Sequence, residues 1–293
     1  MSPVSSRLLV LSAALLFSTG GAAIKATAFS AWQVASFRSG IAAIALFLLL
    51  PTWRRGWSRR TLLVGFFYAV TLILYVTANK LTTAANSIFL QASAPLYVLL
   101  LAPRLLGEPL RRGDLLLAGL LVVGMMLFFV QVDPALATAP NPLQGNLVAA
   151  ASGVTWALTL LGLRWLAGSE RPESAGAAVI SGNALAFLVC APLAFPVSGS
   201  VPLDWAVVAY LGLFQIGLAY VAMTRGMRGT PAFEASLLLL LEPVLNSVWA
   251  WLVHSEQPGP ASLLGCALIL AASLATAFRG QPSAGSRNRE VRD

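Results

Sequence analysis

The stretch Ala84–Pro109 reads AANSIFLQASAPLYVLLLAPRLLGEP. It starts with small and polar residues, becomes a long apolar run, carries a proline at position 95 and closes on Gly107 and Glu108. A second stretch repeats it. Displaced by 148 residues and without a gap, Thr82 falls on Thr230, Ala84 on Ala232, Leu90 on Leu238, Pro95 on Pro243 and Glu108 on Glu256. Leucines coincide by chance in apolar helices. Two prolines and two glutamates at one fixed displacement do so far less readily, so the chain reads as a duplication.

A membrane-spanning helix needs roughly 20 mainly apolar residues. On that measure each copy extends to five candidate spans, with approximate boundaries 8–28, 31–50, 61–80, 82–103 and 113–132, then 143–165, 174–195, 203–224, 231–253 and 260–279. The breaks between them hold turn formers and charges, and none is long enough for a soluble domain. Five is odd, so the second copy must cross the membrane in the opposite sense to the first. The expected fold is an all-α membrane protein of ten transmembrane helices as two inverted five-helix repeats, 1–132 and 143–279. The polar segment 280–293 is predicted to be a disordered cytoplasmic tail. Inverted repeats of this kind are common in secondary transporters, where substrate sits near the midplane between the halves.

Composition agrees with lipid as the solvent. Hydrophobic residues make up 58% and charged residues 10% of the 293, against about a quarter charged in soluble domains. The formal charge of +8 does not read as a nucleic-acid surface, because the basic residues lie between apolar runs. Basic residues near span ends mark the cytoplasmic side. With the N-terminus inside, 16 of the 19 Lys and Arg fall inside, among them Arg54, Arg55, Arg59, Arg60, Arg104, Arg111 and Arg112. Lys25 and Lys80 remain at the outer ends, and Arg38 lies within the second span. Both termini are therefore expected in the cytoplasm. Arg7 followed by an apolar run ending at Gly20-Gly21-Ala22-Ala23 mimics a signal peptide, but the run is long enough to span and the repeat requires it.

The same residues resemble the drug/metabolite transporter superfamily in its EamA-type repeat. The likeness rests on the small-residue start, the mid-helix proline and the terminal Gly-Glu of Ala84–Pro109, and on its second copy, AFEASLLLLLEPV from Ala232 to Val244. The second copy ends in Ser255-Glu256, so Ser255 departs from the usual glycine. Arg38, in SFRSGIAA, resembles the family's arginine in the second span. Within the superfamily the chain most resembles the aromatic amino-acid exporters of the YddG type. The resemblance implies export of amino acids or related metabolites across a bacterial inner membrane. Under it Glu108 and Glu256 are structural residues.

Residues three, four and seven apart share a helix face, and polar side chains in a membrane helix turn to the bundle interior or a wet cavity. The third span then offers Tyr68, Thr71, Tyr75 and Asn79. The fourth offers Asn86, Ser93 and Tyr97, with Thr83, Ser87 and Gln91 beside them. The sixth offers Ser152, Thr155, Trp156 and Thr159, and the ninth Glu242, Asn246 and Trp249. From these, Tyr75, Asn79, Ser87, Gln91, Tyr97, Thr155, Trp156, Thr159 and Asn246 are the candidate substrate-binding residues. Hydroxyls, amides and ring faces suit a zwitterion with an apolar or aromatic side chain, its ammonium held in part by cation–π attraction. The same Ser and Thr also serve as glue between helices, and Trp57 and Trp205, near span ends, read as interface anchors.

The charged positions have two readings each. Glu242 near the centre of its span either relays a proton for coupling or bonds backbone groups freed by Pro243. Arg38 either meets a carboxylate or locks its own helix. Lys25 is expected to snorkel to water. Pro95 and Pro243 are the candidate hinges of an alternating-access motion, and Gly20, Gly21, Gly119 and Gly124 are expected at close helix contacts. Cys190 and Cys266, inside apolar runs, read as packing residues, and the single His254 has no metal-ligand partner in sequence. No P-loop motif occurs, and no enzyme constellation such as H-E-x-x-H can be assembled, so no cofactor, metal or catalytic residue is expected. The partners expected are a small-molecule substrate and the bilayer. Ten helices can enclose a pathway in a monomer. Cationic drugs or another metabolite class are the alternative cargo, and a channel or a membrane-embedded enzyme the remaining readings.

Overall fold

The computed structural model describes residues 3–105, 112–130, 132–169, 173–226 and 238–279, and these are helical apart from short connections and one isolated bridge between Leu136 and Ala139. The helices are α1 (Pro3–Ser18), α2 (Gly20–Lys25), α3 (Ala31–Leu49), α4 (Arg59–Leu81), α5 (Ala84–Gln91), α6 (Ala94–Leu105) and α7 (Arg112–Val130). They continue as α8 (Pro142–Ser169), α9 (Ser174–Ala194), α10 (Pro202–Tyr210), a π-helical segment Leu211–Leu218, α11 (Ala219–Gly226), α12 (Leu241–His254) and α13 (Pro260–Arg279). Among the described residues six runs are long and apolar enough to cross a membrane: Val4–Lys25, Ala31–Leu49, Arg59–Leu81, Pro142–Leu163, Ser174–Ala194 and Pro202–Met223. Leu115–Val130 and Pro260–Ala275 are shorter apolar helices. Glu108, the first part of the expected ninth span and the segment 280–293 lie outside the described residues.

Local chemistry sets the helix ends. Ser30 and Gln33 exchange side-chain and backbone bonds as a capping box at the start of α3, which satisfies two amides that the first turn leaves free. Ser58 and Thr83 accept from the amides of Thr61 and Asn86 to start α4 and α5. At the end of α12, Ser255 has φ 55, and the Glu256 amide reaches back to Ala250 O at 3.4 Å. That is the left-handed position glycine usually takes, so the departure at Ser255 leaves the geometry of the cap unchanged.

Packing exchanges elements between the two halves. The first helix of the second half, α8, packs on α4, α5 and α6 of the first. In return α1 packs on the π segment, α11 and α12. The second helices, α3 and α9, pair with each other, as do the fifth, α7 and α13. Such mutual exchange is what a two-fold relation between copies produces. Small residues allow it. A Cβ on Gly182 would stand 2.6 Å from Tyr68 Cδ1 and 2.7 Å from Gly65 O, so α4 and α9 cross nearly backbone to backbone. Gly124 similarly faces Gly265 between α7 and α13, but Gly119 faces open space and makes no such contact. Cys190 and Cys266 are buried and free.

Candidate functional site

A cavity of about 440 Å³ lies between the two halves, within the range of small-molecule sites. Its most telling walls are two helix breaks. The expected fourth span is not continuous: α5 ends at Gln91, the chain turns at Ala92 and Ser93, and α6 begins at Ala94. The chain turns again at Leu240, immediately before α12. Ala92 and Leu240 are 148 residues apart, so the breaks obey the displacement read from the sequence. Pro95 and Pro243 both line the cavity, but they do not kink a running helix as expected. They are the second and third residues of α6 and α12, in a first turn where proline has no intrahelical bond to lose. The irregular backbone lines a cavity inside the protein, and at membrane depth it is tolerated only where protein buries it or a wet cavity adjoins it.

Of the residues singled out for binding, Tyr75, Gln91 and Trp156 line this cavity together with Glu242 and the two prolines. Gln91 donates to Ser152 Oγ at 2.6 Å, which fixes its amide against α8. Asn79, Ser87, Tyr97, Thr155, Thr159 and Asn246 are not among the lining. Most of them are engaged elsewhere. Asn79 donates to Tyr75 O and to Ser87 Oγ, both at 2.9 Å. Thr155 and Thr159 join Thr71 in a ladder of hydroxyls between α8 and α4. Asn246 accepts from the Gly21 amide and donates to Ala84 O. Their spacing is that of a lining, yet their bonds join helices, because a buried polar group without a partner is costly.

The cavity also holds residues absent from those candidates: Phe17, Arg38, Tyr68, Gln215 and Tyr220. Tyr68 and Tyr220 meet edge to face at 5.7 Å between ring centroids, and Phe17 meets Tyr220 at 5.2 Å. Gln215 and Tyr220 are five residues apart, a spacing that α-helical periodicity puts on different faces. The π segment Leu211–Leu218, with its i→i+5 turns, brings both to the cavity. Gly212 lets that segment lie against α3, since a Cβ there would stand 2.7 Å from Arg38 O. Glu242 makes no ion pair with any described residue. Arg38 is 1% exposed, and its Nη2 donates to Leu72 O at 3.2 Å, across to α4 and not within its own helix.

A second set of polar residues is buried away from the cavity lining. Lys25 does not reach for water. It pairs with Glu256 at 2.8 Å, the side chains being 1% and 2% exposed. Its ammonium also donates to Thr82 O and Thr138 O, and Glu256 accepts from the Ala84 amide. Nearby, Asp133 accepts from Asn86, Gly259 N and Ser262. Asp204 accepts from Thr27 Oγ1 and Ala28 N, tying the turn after α2 to the start of α10. Trp205, expected as an interface anchor, is 43% exposed and also packs on Phe29 and Phe37. His254 places a ring nitrogen 2.8 Å from Ala22 O.

The EamA-like transporter family model matches this chain twice, over residues 5–130 and 143–278. The chain belongs to the EamA-like transporter family. Its relatives of known name are exporters or transporters. It is 26% identical over 198 residues to the aromatic amino acid exporter YddG of Ancylobacter novellus, covering 67% of this chain and 68% of that one. It is 25% identical over 283 residues to the pseudopaline exporter CntI of Pseudomonas aeruginosa, covering 92% of this chain and 95% of that one. A solved crystal structure superposes with a TM-score of 0.63 at 24% identity, covering 96% of this chain and all of that one, which shows the fold. Membership of a transporter family and the apolar spans place this EamA-like protein in the cell inner membrane.

Proposed function

We propose that this chain is a ten-span secondary exporter, both termini in the cytoplasm, that moves aromatic and other neutral amino acids out of the cell by alternating access. The observation that carries the reading is the cavity between the two symmetry-related helix breaks, walled by Trp156, Tyr68, Tyr75 and Tyr220 and holding, among the described residues, one arginine and one glutamate. Rings accept an apolar side chain, and the two charges suit a zwitterion better than a polyanion or a polycation. The concentration of basic residues on one side supports the orientation. That orientation puts the Lys25–Glu256 cluster at the outer end. The likeness to an aromatic amino acid exporter supports the cargo class. The chain is taken to work as a monomer, since its own helices surround the cavity.

The test is uptake of labelled phenylalanine, tryptophan, threonine and glutamate into proteoliposomes, with and without a pH gradient. Saturable movement of the three neutral amino acids and not of glutamate is expected. Linear, unsaturable flux would indicate a channel instead. Glu242 is the proposed coupling residue, being a carboxylate in the cavity wall with no ion pair among the described residues. Glu242→Gln should then keep some exchange but lose its response to the gradient; a response of unchanged size would move coupling to another group. The longer match to CntI favours another metabolite class as the second reading, so pseudopaline belongs on the same panel.

The breaks before Pro95 and Pro243 are proposed as the paired hinges. Bending at two related points lets one face open while the other closes. Spin-label distances measured across each face should change in opposite senses when cargo is added. Distances that stay fixed on both faces during turnover would rule the hinges out.

A further inference from the structure

Arg38 is a buried cation with no anion partner among the described residues. It sits in the middle of α3, 1% exposed, in the wall of the cavity. Its one bond to a described group is from Nη2 to Leu72 O, and its Nε has no partner. A guanidinium carries five N–H donors in a planar fork matched to a carboxylate. Among the described residues the ionisable groups that act on it are Tyr68, Tyr75, Tyr220 and Cys190, phenols and a thiol whose ordinary range keeps them neutral near pH 7. Lys25 shows how this chain treats a charge buried for structure: it is paired at 2.8 Å and bonded to two carbonyls. Among the described residues a lock between α3 and α4 would use the Leu72 bond alone and leave the charge uncompensated, which is costly for a buried charge.

We propose that Arg38 is the residue that binds the carboxylate of the cargo, so that the missing counter-charge arrives with the substrate. The proposal rests on the amino-acid export reading and makes it more specific. The opposite pole is also present. Gln215 Oε1 is a buried acceptor without a partner and lines the same cavity, as does the carboxylate of Glu242. Tyr75 and Tyr220 lie within electrostatic reach of both Arg38 and Glu242. A cargo whose carboxylate lies on Arg38 therefore turns its ammonium toward Gln215 and Glu242, with the rings alongside its side chain.

The experiment is competition against labelled tryptophan uptake in proteoliposomes of the full chain. The competitors are phenylalanine and phenylalaninamide, which differ in the charged carboxylate. In the wild type the amide should compete about tenfold or more weakly, the usual scale for losing a charge-assisted bond at a buried site. Arg38→Gln should bring the two competitors to near equality by weakening phenylalanine, and Arg38→Lys should restore part of the difference. Equal competition in the unaltered protein overturns the proposal, and that comparison stands even where the variants do not fold. A tenfold preference that survives Arg38→Gln also overturns it. Absence of tryptophan uptake altogether sinks the amino-acid reading and this assignment with it, whereas equal acid and amide sinks the assignment alone.

Discussion

Lys25→Ala lowers the stability of the folded protein by about 3–5 kcal/mol, the usual cost of removing one partner of a buried ion pair. The reason lies in what remains. Glu256 would keep its carboxylate, 2% exposed, with the Ala84 amide at 2.9 Å and no cation. Thr82 O and Thr138 O would each lose the donor that Lys25 supplies. The ammonium joins four places in one step: the end of α2, the turn before α5, the segment before α8 and the turn after α12. Thermal unfolding in detergent measures the loss. The pair Lys25→Met with Glu256→Leu should recover much of it, because apolar groups of similar size carry no desolvation cost. A loss below about 1 kcal/mol would mean that the pair behaves as a surface pair reached by water, and the elements that Lys25 joins would have to be held together elsewhere.

On the amino-acid export proposed above, Trp156→Ala raises the concentration for half-maximal uptake of tryptophan and phenylalanine about 10- to 100-fold and that of threonine far less. Trp156 lines the cavity from α8 and packs against the cluster that contains Tyr68 and Tyr220. Apolar contact with a cargo ring amounts to about 1.5–3 kcal/mol, and each 1.4 kcal/mol is about tenfold in affinity. Threonine has no ring to place there. Parallel initial-rate measurements for the three cargoes decide the matter. An equal loss for all three would make Trp156 a support for the cavity wall and not a contact for the side chain.

Much of the helical frame was legible in the residues. The spans expected at 31–50, 61–80 and 174–195 correspond closely to Ala31–Leu49, Arg59–Leu81 and Ser174–Ala194, because apolar length bounded by caps and turn formers is a local property. The displacement that places Pro95 on Pro243 also places the break at Ala92 on the break at Leu240. Ser255 was visible as an odd residue, and its positive φ shows that the position kept its role without the glycine.

The site was legible only in part. Tyr75, Gln91, Trp156 and Glu242 were read from polar groups inside apolar runs, and they line the cavity. Asn79, Ser87, Thr155, Thr159 and Asn246 carried the same signal, but their partners come from other helices, Thr71 for Thr155 and Gly21 for Asn246. Spacing along one helix gives a face and does not say which neighbour meets it. Gln215 and Tyr220 went unread because a π segment shifts their register, a deviation that packing against α3 through Gly212 accommodates. The fate of the charges was likewise non-local. A lysine near a span end can reach water or a carboxylate, and for Lys25 the answer lay more than two hundred residues away at Glu256. By itself the sequence determined apolar spans such as Ala31–Leu49 and Arg59–Leu81 and the displacement that relates the two copies, since these follow from residue type and order, whereas the turns at Ala92 and Leu240 that interrupt the helices came from the structure. Only the tertiary structure decided which polar groups bind one another and which, such as Arg38 Nε and Gln215 Oε1, are buried without a partner in the residues that wall the cavity, because the energy of a buried polar group is set by what the rest of the chain brings within reach of it.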